Sequence, residues 1–470
     1  MKKLYAIILF VFIGTIANAQ YTKILDFAGT ANGQNPQSDL IADGTFLYGM
    51  AKNGGTNNLG VLFKIKPDGS GYANLLDFAG TINGSYPRGF LISDGTFLYG
   101  MTEQGGTSGY GTIFKIKPDG SGYSKLLDFL GTNGSYPTGS LISDGTFLYG
   151  MTYSGGTNSI GIIFKIKPDG TGFVKLLDFA GTTNGSNPRG SLISDGTFLY
   201  GMTTQGGTSG YGVVFKIMSD GSGYSKLLDF SGTANGSTPY GSLISDGTFL
   251  YGMTADGGIN GWGVVFKIKP DGSGYADLHD FASGANGKNP RGSLISDGTF
   301  LYGMTNTGGT NNMGVFFKIK PDGTAYSKLL DFSSTNGSIP YGSLIFDGNF
   351  LYGMAETGGT NNMGTVFKYQ PSGVGVIENT VETDFMIFPN PSNGIFTIES
   401  SEKISAVEIM NVLGEKVSEL MSSGVNELNS TTQPLNHSTT LNLSSKPSGV
   451  CFLQIKTETG NAVKKIVIQK

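Results

Sequence analysis

The sequence predicts an all-β chain: a seven-bladed β-propeller of four-stranded blades, closed by its N-terminal strand and followed by a small β-sandwich. Three observations lead there. The string Asp-Gly-[Thr/Asn]-Phe-Leu-Tyr-Gly-Met occurs seven times, with its Asp at Asp43, Asp94, Asp144, Asp195, Asp246, Asp297 and Asp347, 50 or 51 residues apart. Each copy holds four short apolar runs between Gly-rich turns and no run of helical length and period. After Pro371 the repeat stops and a different alternating pattern begins. A period of about 50 residues with four strands per unit is that of a propeller blade, in which radial repetition leaves only short edges.

The first element is an address. Lys2 and Lys3 precede an uncharged apolar run, Leu4 to Ile16, and Ala17-Asn18-Ala19 fits the small-x-small cleavage pattern. The run is short of the ~20 residues that span a bilayer. Residues 1–19 are therefore expected to be a signal peptide, removed to give a mature chain from Gln20.

The copy near residue 200 shows the blade. Ser191-Leu192-Ile193-Ser194 is the inner run, and Asp195-Gly196 forms a tight turn. Thr197 to Thr203 is the second strand. A Gly-Gly loop leads to Val213 to Ile217, and a further Gly turn enters the outer strand, Tyr224 to Phe230. Consecutive apolar positions such as Val213-Val214 require cover on both sheet faces, which neighbouring blades supply. The longest linker, as in 179–190, is expected to cross between blades. On that phase the last copy lacks an outer strand and the chain start has a spare one, 21–27. Pairing it with the 364–370 strand closes the ring over 20–371.

A linker is expected at 372–384 and a β-sandwich at 385–470. The tail carries Phe388-Pro389-Asn390-Pro391, then Asn393-Gly394, Asn411-Val412-Leu413-Gly414, Pro447-Ser448-Gly449-Val450 and a terminal Lys470. Together these resemble the C-terminal sorting domain of cargo of the type IX secretion system of Bacteroidota, although Cys451 stands where that family usually has Tyr. The resemblance implies that the type IX machinery is a partner and that Phe388, Pro389, Asn390, Pro391, Gly394, Gly449 and Lys470 belong to the sorting signal. It also implies passage across the outer membrane to the surface or beyond. The repeats, with Leu98–Thr102, Gly105-Gly106 and Gly111–Lys115, resemble a bacterial tandem-repeat family of secreted proteins and kelch-like blades. That second resemblance implies no activity.

Composition narrows the chemistry. The chain has a net charge of −4 with no basic cluster, which argues against nucleic-acid binding. One Cys and two His (His279 and His437) leave no multi-Cys or His-rich metal site, and no cofactor or metal is expected. The Asp of Leu-Leu-Asp-Phe is expected to cap a turn, as is the Asp of Asp-Gly. The Asn-Gly-Ser triplets are expected to be turns before they are glycosylation acceptors.

Variation among the copies points to one face. The residue after the linker Pro is Gln37, Arg88, Thr138, Arg189, Tyr240, Arg291 or Tyr341. The position after Met-[Thr/Ala] is Lys52, Glu103, Tyr153, Thr204, Ala255, Asn306 or Glu356, and the position before the third strand includes Trp262. Arg and aromatics on variable loops of a fixed scaffold are what a binding surface needs. Arg88, Arg189, Arg291, Tyr240, Tyr341, Tyr153 and Trp262 are the expected ligand residues, in a secreted or cell-surface module that binds a polysaccharide or a surface protein. A propeller hydrolase or lyase would use Glu103 and Glu356. A structural surface component is the other alternative. A monomer with no transmembrane segment is expected.

Overall fold

A computed structural model describes residues 21–282 and 284–371 and, in the tail, 385–388, 395–400, 404–411, 416–421, 438–443, 449–457 and 461–468. The expected signal peptide and the expected linker lie outside these residues. The chain divides into two units at Ser372 and Gly373.

The first unit is seven four-stranded antiparallel sheets. In the fourth blade, Ile193–Ser194 pairs with Phe198–Thr203, which pairs with Val213–Met218, which pairs with Ser225–Asp229. The innermost strand is shorter than the sequence suggests. The N–H of Ser191 turns sideways to the Ser242 hydroxyl of the next blade (2.8 Å), so only Ile193 and Ser194 pair with the second strand.

The repeated Asp-Gly explains the first hairpin. Asp195 Oδ1 accepts the N–H groups of Thr197 and Phe198 at 2.8 and 2.7 Å, and Oδ2 accepts the Tyr200 hydroxyl at 2.7 Å. The Asp–Tyr bond recurs in all seven blades. Gly201, in mid-strand, is required for a different reason: a Cβ there would lie 2.7 Å from the Phe215 ring. The Asp of Leu-Leu-Asp-Phe caps the Gly-Gly loop. Asp178 accepts from Thr157 N (2.8 Å) and from its hydroxyl (3.0 Å). The Asn of Asn-Gly-Ser is also an internal cap, Asn184 Oδ1 accepting from Ala180 N at 2.6 Å.

Alternate residues of the third strand face opposite neighbours. Val213, Phe215 and Ile217 pack with Tyr149 and Met151 of the blade before, while Val214 packs with Phe266 and Ile268 of the blade after. Seven such inter-blade cores follow one another, and one joins Phe63 of the first blade to Val366 of the last. The last blade is built from both ends of the unit: Tyr21–Asp26 pairs antiparallel with Thr365–Tyr369. Asp26 caps Thr360 there as its counterparts do elsewhere.

The second unit has a three-stranded sheet, Phe385–Phe388, Ile395–Ser400 and Ser438–Asn442, and a four-stranded sheet built around Ile404–Asn411 and Gly449–Thr457. Phe396, Ile398 and Leu441 of the first share a buried core with Val407, Ile409, Leu453 and Ile455 of the second, which makes a sandwich.

Candidate functional site

The site is made by seven identical backbone devices. Each linker ends in a residue with positive φ followed by Pro: Asn35, Tyr86, Tyr136, Asn187, Thr238, Asn289 and Ile339, with φ between 53° and 57°. This left-handed conformation suits Asn and strains the β-branched Thr238 and Ile339. The N–H of each donates to the carbonyl of the residue before the third strand of the preceding blade, as from Asn289 to Trp262 at 2.9 Å. Pro then fixes the next step, and the variable residue after it is delivered to the axis.

Below that residue five of the seven copies read Gly-Ser, the first reading Ser38-Asp39 and the second Gly89-Phe90. A Cβ on Gly190 would lie 2.2 Å from the Gly241 carbonyl oxygen, so only glycine allows the blades to meet there. The serines bond around the axis: Ser140 N to Ser191 Oγ at 2.7 Å, Ser242 N to Ser293 Oγ and Ser293 N to Ser343 Oγ at 2.8 Å each. In the first blade Asp39 replaces the serine and accepts from Ser343 N. Burial pushes its carboxyl up to about 6, against the pull of the Ser343 hydrogen bonds.

This collar forms the floor of an axial pocket of about 60 Å³, walled by Gln37, Arg88, Thr138, Arg189, Tyr240, Arg291 and Tyr341. That volume holds a few water-sized groups.

The wall is a chain of stacked cations and rings. The Arg189 guanidinium lies 4.3 Å from the Tyr153 ring centroid and 5.0 Å from that of Tyr240. The Arg291 guanidinium lies 5.0 Å from Tyr240 and 5.4 Å from Tyr341. Tyr240 and Tyr341 meet edge to face at 6.5 Å. Across the pocket Arg88 pairs with Glu103 at 2.7 Å, and Gln37 Nε2 donates to Glu356 at 2.6 Å. Lys52 feels Arg88, Glu103 and Glu356 together, and its burial, with Arg88 beside it, lowers its ammonium below the ordinary value.

The structure thus brings Arg88, Arg189, Arg291, Tyr240 and Tyr341 into one wall and sets Tyr153 behind Arg189. Trp262 does not join them. It packs beside the core between the fifth and sixth blades, under the Lys288 ammonium at 4.7 Å. Its place in the repeat supplies a carbonyl to the linker, and its side chain covers the blade. Of the sorting residues, Phe388 ends the first tail strand and Gly449 begins another. Pro389, Asn390, Pro391, Gly394 and Lys470 lie outside the described residues. No group of three or more metal-binding side chains occurs among the described residues, and no helix there is long and apolar enough to cross a membrane.

Reading the repeats column by column located the wall but not three of its features. Asp39 sits where the first copy departs from Pro-x-Gly-Ser, so the alignment of copies hides it; Gln37 stands in the variable column, but its bond to Glu356 does not show there. Lys52 needs the neighbouring linker to be placed before its charge matters. The third feature lay in the composition: the chain has three arginines, and all three line this pocket.

The repeat region matches the model of the Gloeobacter/Verrucomicrobia repeat over residues 10–147, 142–258 and 244–386. The tail matches that of the secretion system C-terminal sorting domain over 386–469. No curated protein matches the chain. Similar solved structures include an oligogalacturonate lyase in complex with manganese, 12% identical, covering 76% of this chain and 94% of its own, with a TM-score of 0.47. A puromycin-hydrolysing peptidase of Mycobacterium tuberculosis is 13% identical over 81% of this chain and 61% of its own, at 0.48. A putative 6-phosphogluconolactonase from Bacteroides uniformis is 18% identical over 67% and 88%, at 0.45. At such values these likenesses say nothing about chemistry. The sorting tail indicates export, to the cell surface or beyond it.

Proposed function

This chain belongs to the Gloeobacter/Verrucomicrobia repeat family and ends in a type IX sorting domain; from that premise we propose that the exported propeller is a binding module whose axial mouth holds an extracellular glycan. One observation carries the reading: the run Tyr153, Arg189, Tyr240, Arg291, Tyr341, in which each guanidinium stacks on two rings. Tyr faces suit the C–H faces of sugars, and guanidinium edges suit their oxygens. Stacking fixes the long Arg side chains before a ligand arrives, so little entropy is lost on binding. Origin in Bacteroidota, removal of residues 1–19, and release or anchoring after export belong to the same reading.

A hydrolase or lyase built on Glu103 and Glu356 has less support, because Arg88 and Gln37 already engage these carboxylates. The test is a glycan array probed with the mature chain and with Tyr240→Ala. Binding that falls at least about tenfold in the variant, or ~1.4 kcal/mol, is expected. A blank array with abundant surface display would favour a structural component, and capture of a surface protein alone would move the partner to a protein.

A further inference from the structure

We infer that the glycan is acidic and that one of its oxyanions, a carboxylate or a sulfate ester, enters the axial pocket between Arg189 and Arg291. This deepens the reading above and rests on it.

Charge use across the chain is the first ground. The three arginines line this pocket, and every other basic side chain apart from the two histidines is a lysine. Lysine serves wherever the structure needs a plain cation: five of the six ion pairs among the described residues join a Lys to the Asp three places on in an outer strand. Guanidinium appears where a planar fork of donors can meet two oxygens of one anion.

Pairing is the second ground. Arg88 has Glu103, but Arg189 and Arg291 have no carboxylate partner among the described residues. Their contacts are the Tyr faces, which leave the donor edges of the guanidinium unspent, and the buried Arg291 Nε has no acceptor. A half-buried cation without a counter-ion is costly unless an anion arrives. The carboxylate of the lining, Asp39, is engaged by Ser343 N.

Shape and a second polar group complete the argument. A space of about 60 Å³ is of a size for a carboxylate or sulfate group. Gln37 is 8% exposed, its Nε2 is given to Glu356, and its Oε1 is buried without a donor. That oxygen suits a sugar hydroxyl. An acid group beside hydroxyls is the chemistry of a uronic acid or a sulfated sugar. The protein as a whole is anionic, at −4, so affinity for a polyanion must come from this locality.

The experiment titrates the mature chain with polygalacturonate, dextran sulfate and neutral dextran, at about 50 and 200 mM salt. Binding of one or both acidic polymers, at least about tenfold tighter than dextran and weakened by salt, is expected. Preference between the two acidic polymers identifies carboxylate or sulfate. The double variant Arg189→Gln/Arg291→Gln is expected to lose that tenfold preference. Arg189→Lys/Arg291→Lys, which keeps the charge and removes the fork, is expected to fall between it and the wild type. Equal affinity for dextran, or acidic binding untouched in both double variants, overturns the inference. Neutral-glycan binding lost in Tyr240→Ala but kept in the Arg variants leaves the glycan mouth standing and removes the acid. Binding of no polymer removes both.

Discussion

Asp39 stands where five other blades carry a serine, and it shows what one substitution does to a repeated collar. Ser343 N finds an acceptor in Asp39 as the N–H groups of its counterparts do in serine, so geometry is kept and a charge is added. Burial raises the Asp39 carboxyl from 3.8 to about 6. The folded protein therefore holds a proton that the unfolded chain releases over that interval, and the penalty for burying the charge is fully present above pH 6 and absent well below pH 4. Asp39→Ser restores the collar without the charge. It is expected to stabilise the propeller by about 1–3 kcal/mol at pH 8 and by much less at pH 3.5. Thermal melts at the two pH values check this, and an equal effect at both would mean that the carboxylate is not desolvated. A sequence read copy against copy does not single out Asp39, because Ser38-Asp39 falls outside the Gly-Ser pattern that defines the column. The arginines and tyrosines above it were legible because they vary at a position whose neighbours do not.

Among elements, the strand Tyr21–Asp26 has the largest consequence. It gives the last blade its fourth strand and gives Thr360 its cap, and Phe27 behind it is buried in the core between the last and first blades. Loss of a buried Phe side chain alone costs about 3–5 kcal/mol, a large share of the 5–15 kcal/mol that holds a domain together. Deleting residues 20–28 is expected to leave the Thr365–Tyr369 edge unpaired and to lower the melting temperature by more than ten degrees or abolish folding. A shortened chain that melts within two or three degrees of the full one would show that the ring does not depend on this closure. This element was legible because the repeat phase leaves a spare outer strand at the start of the unit and a last copy that lacks one. The inner strand was overestimated, since the run Ser191 to Ser194 does not reveal that Ser191 bonds to the next blade. The placement of Trp262 was not legible either. Its column lies on the variable face, but the packing of the column against the blade depends on the linker that folds over it.

On the scale of the molecule, seven near-identical wedges build a rigid collar, and the differences between wedges are concentrated where the linkers meet the axis. The number of blades, the closure and the side on which the variable residues gather follow from period and phase. The pairing of Arg88 with Glu103, the stacking of Arg189 and Arg291 and the width of the pocket required the ring in three dimensions, because each arises between residues of neighbouring blades or across the axis. The same ring brings side chains from every blade together at the axial pocket, and the sorting tail carries the chain to the cell surface or beyond it. The most direct test is a crystal structure of the mature protein with an acidic oligosaccharide bound. Its carboxylate or sulfate oxygens are expected within hydrogen-bond distance of the Arg189 and Arg291 guanidinium groups, with a sugar face on Tyr240 or Tyr341. A ligand seated on the tight-turn face or along the outer strands, with the axial pocket left to water, would contradict it.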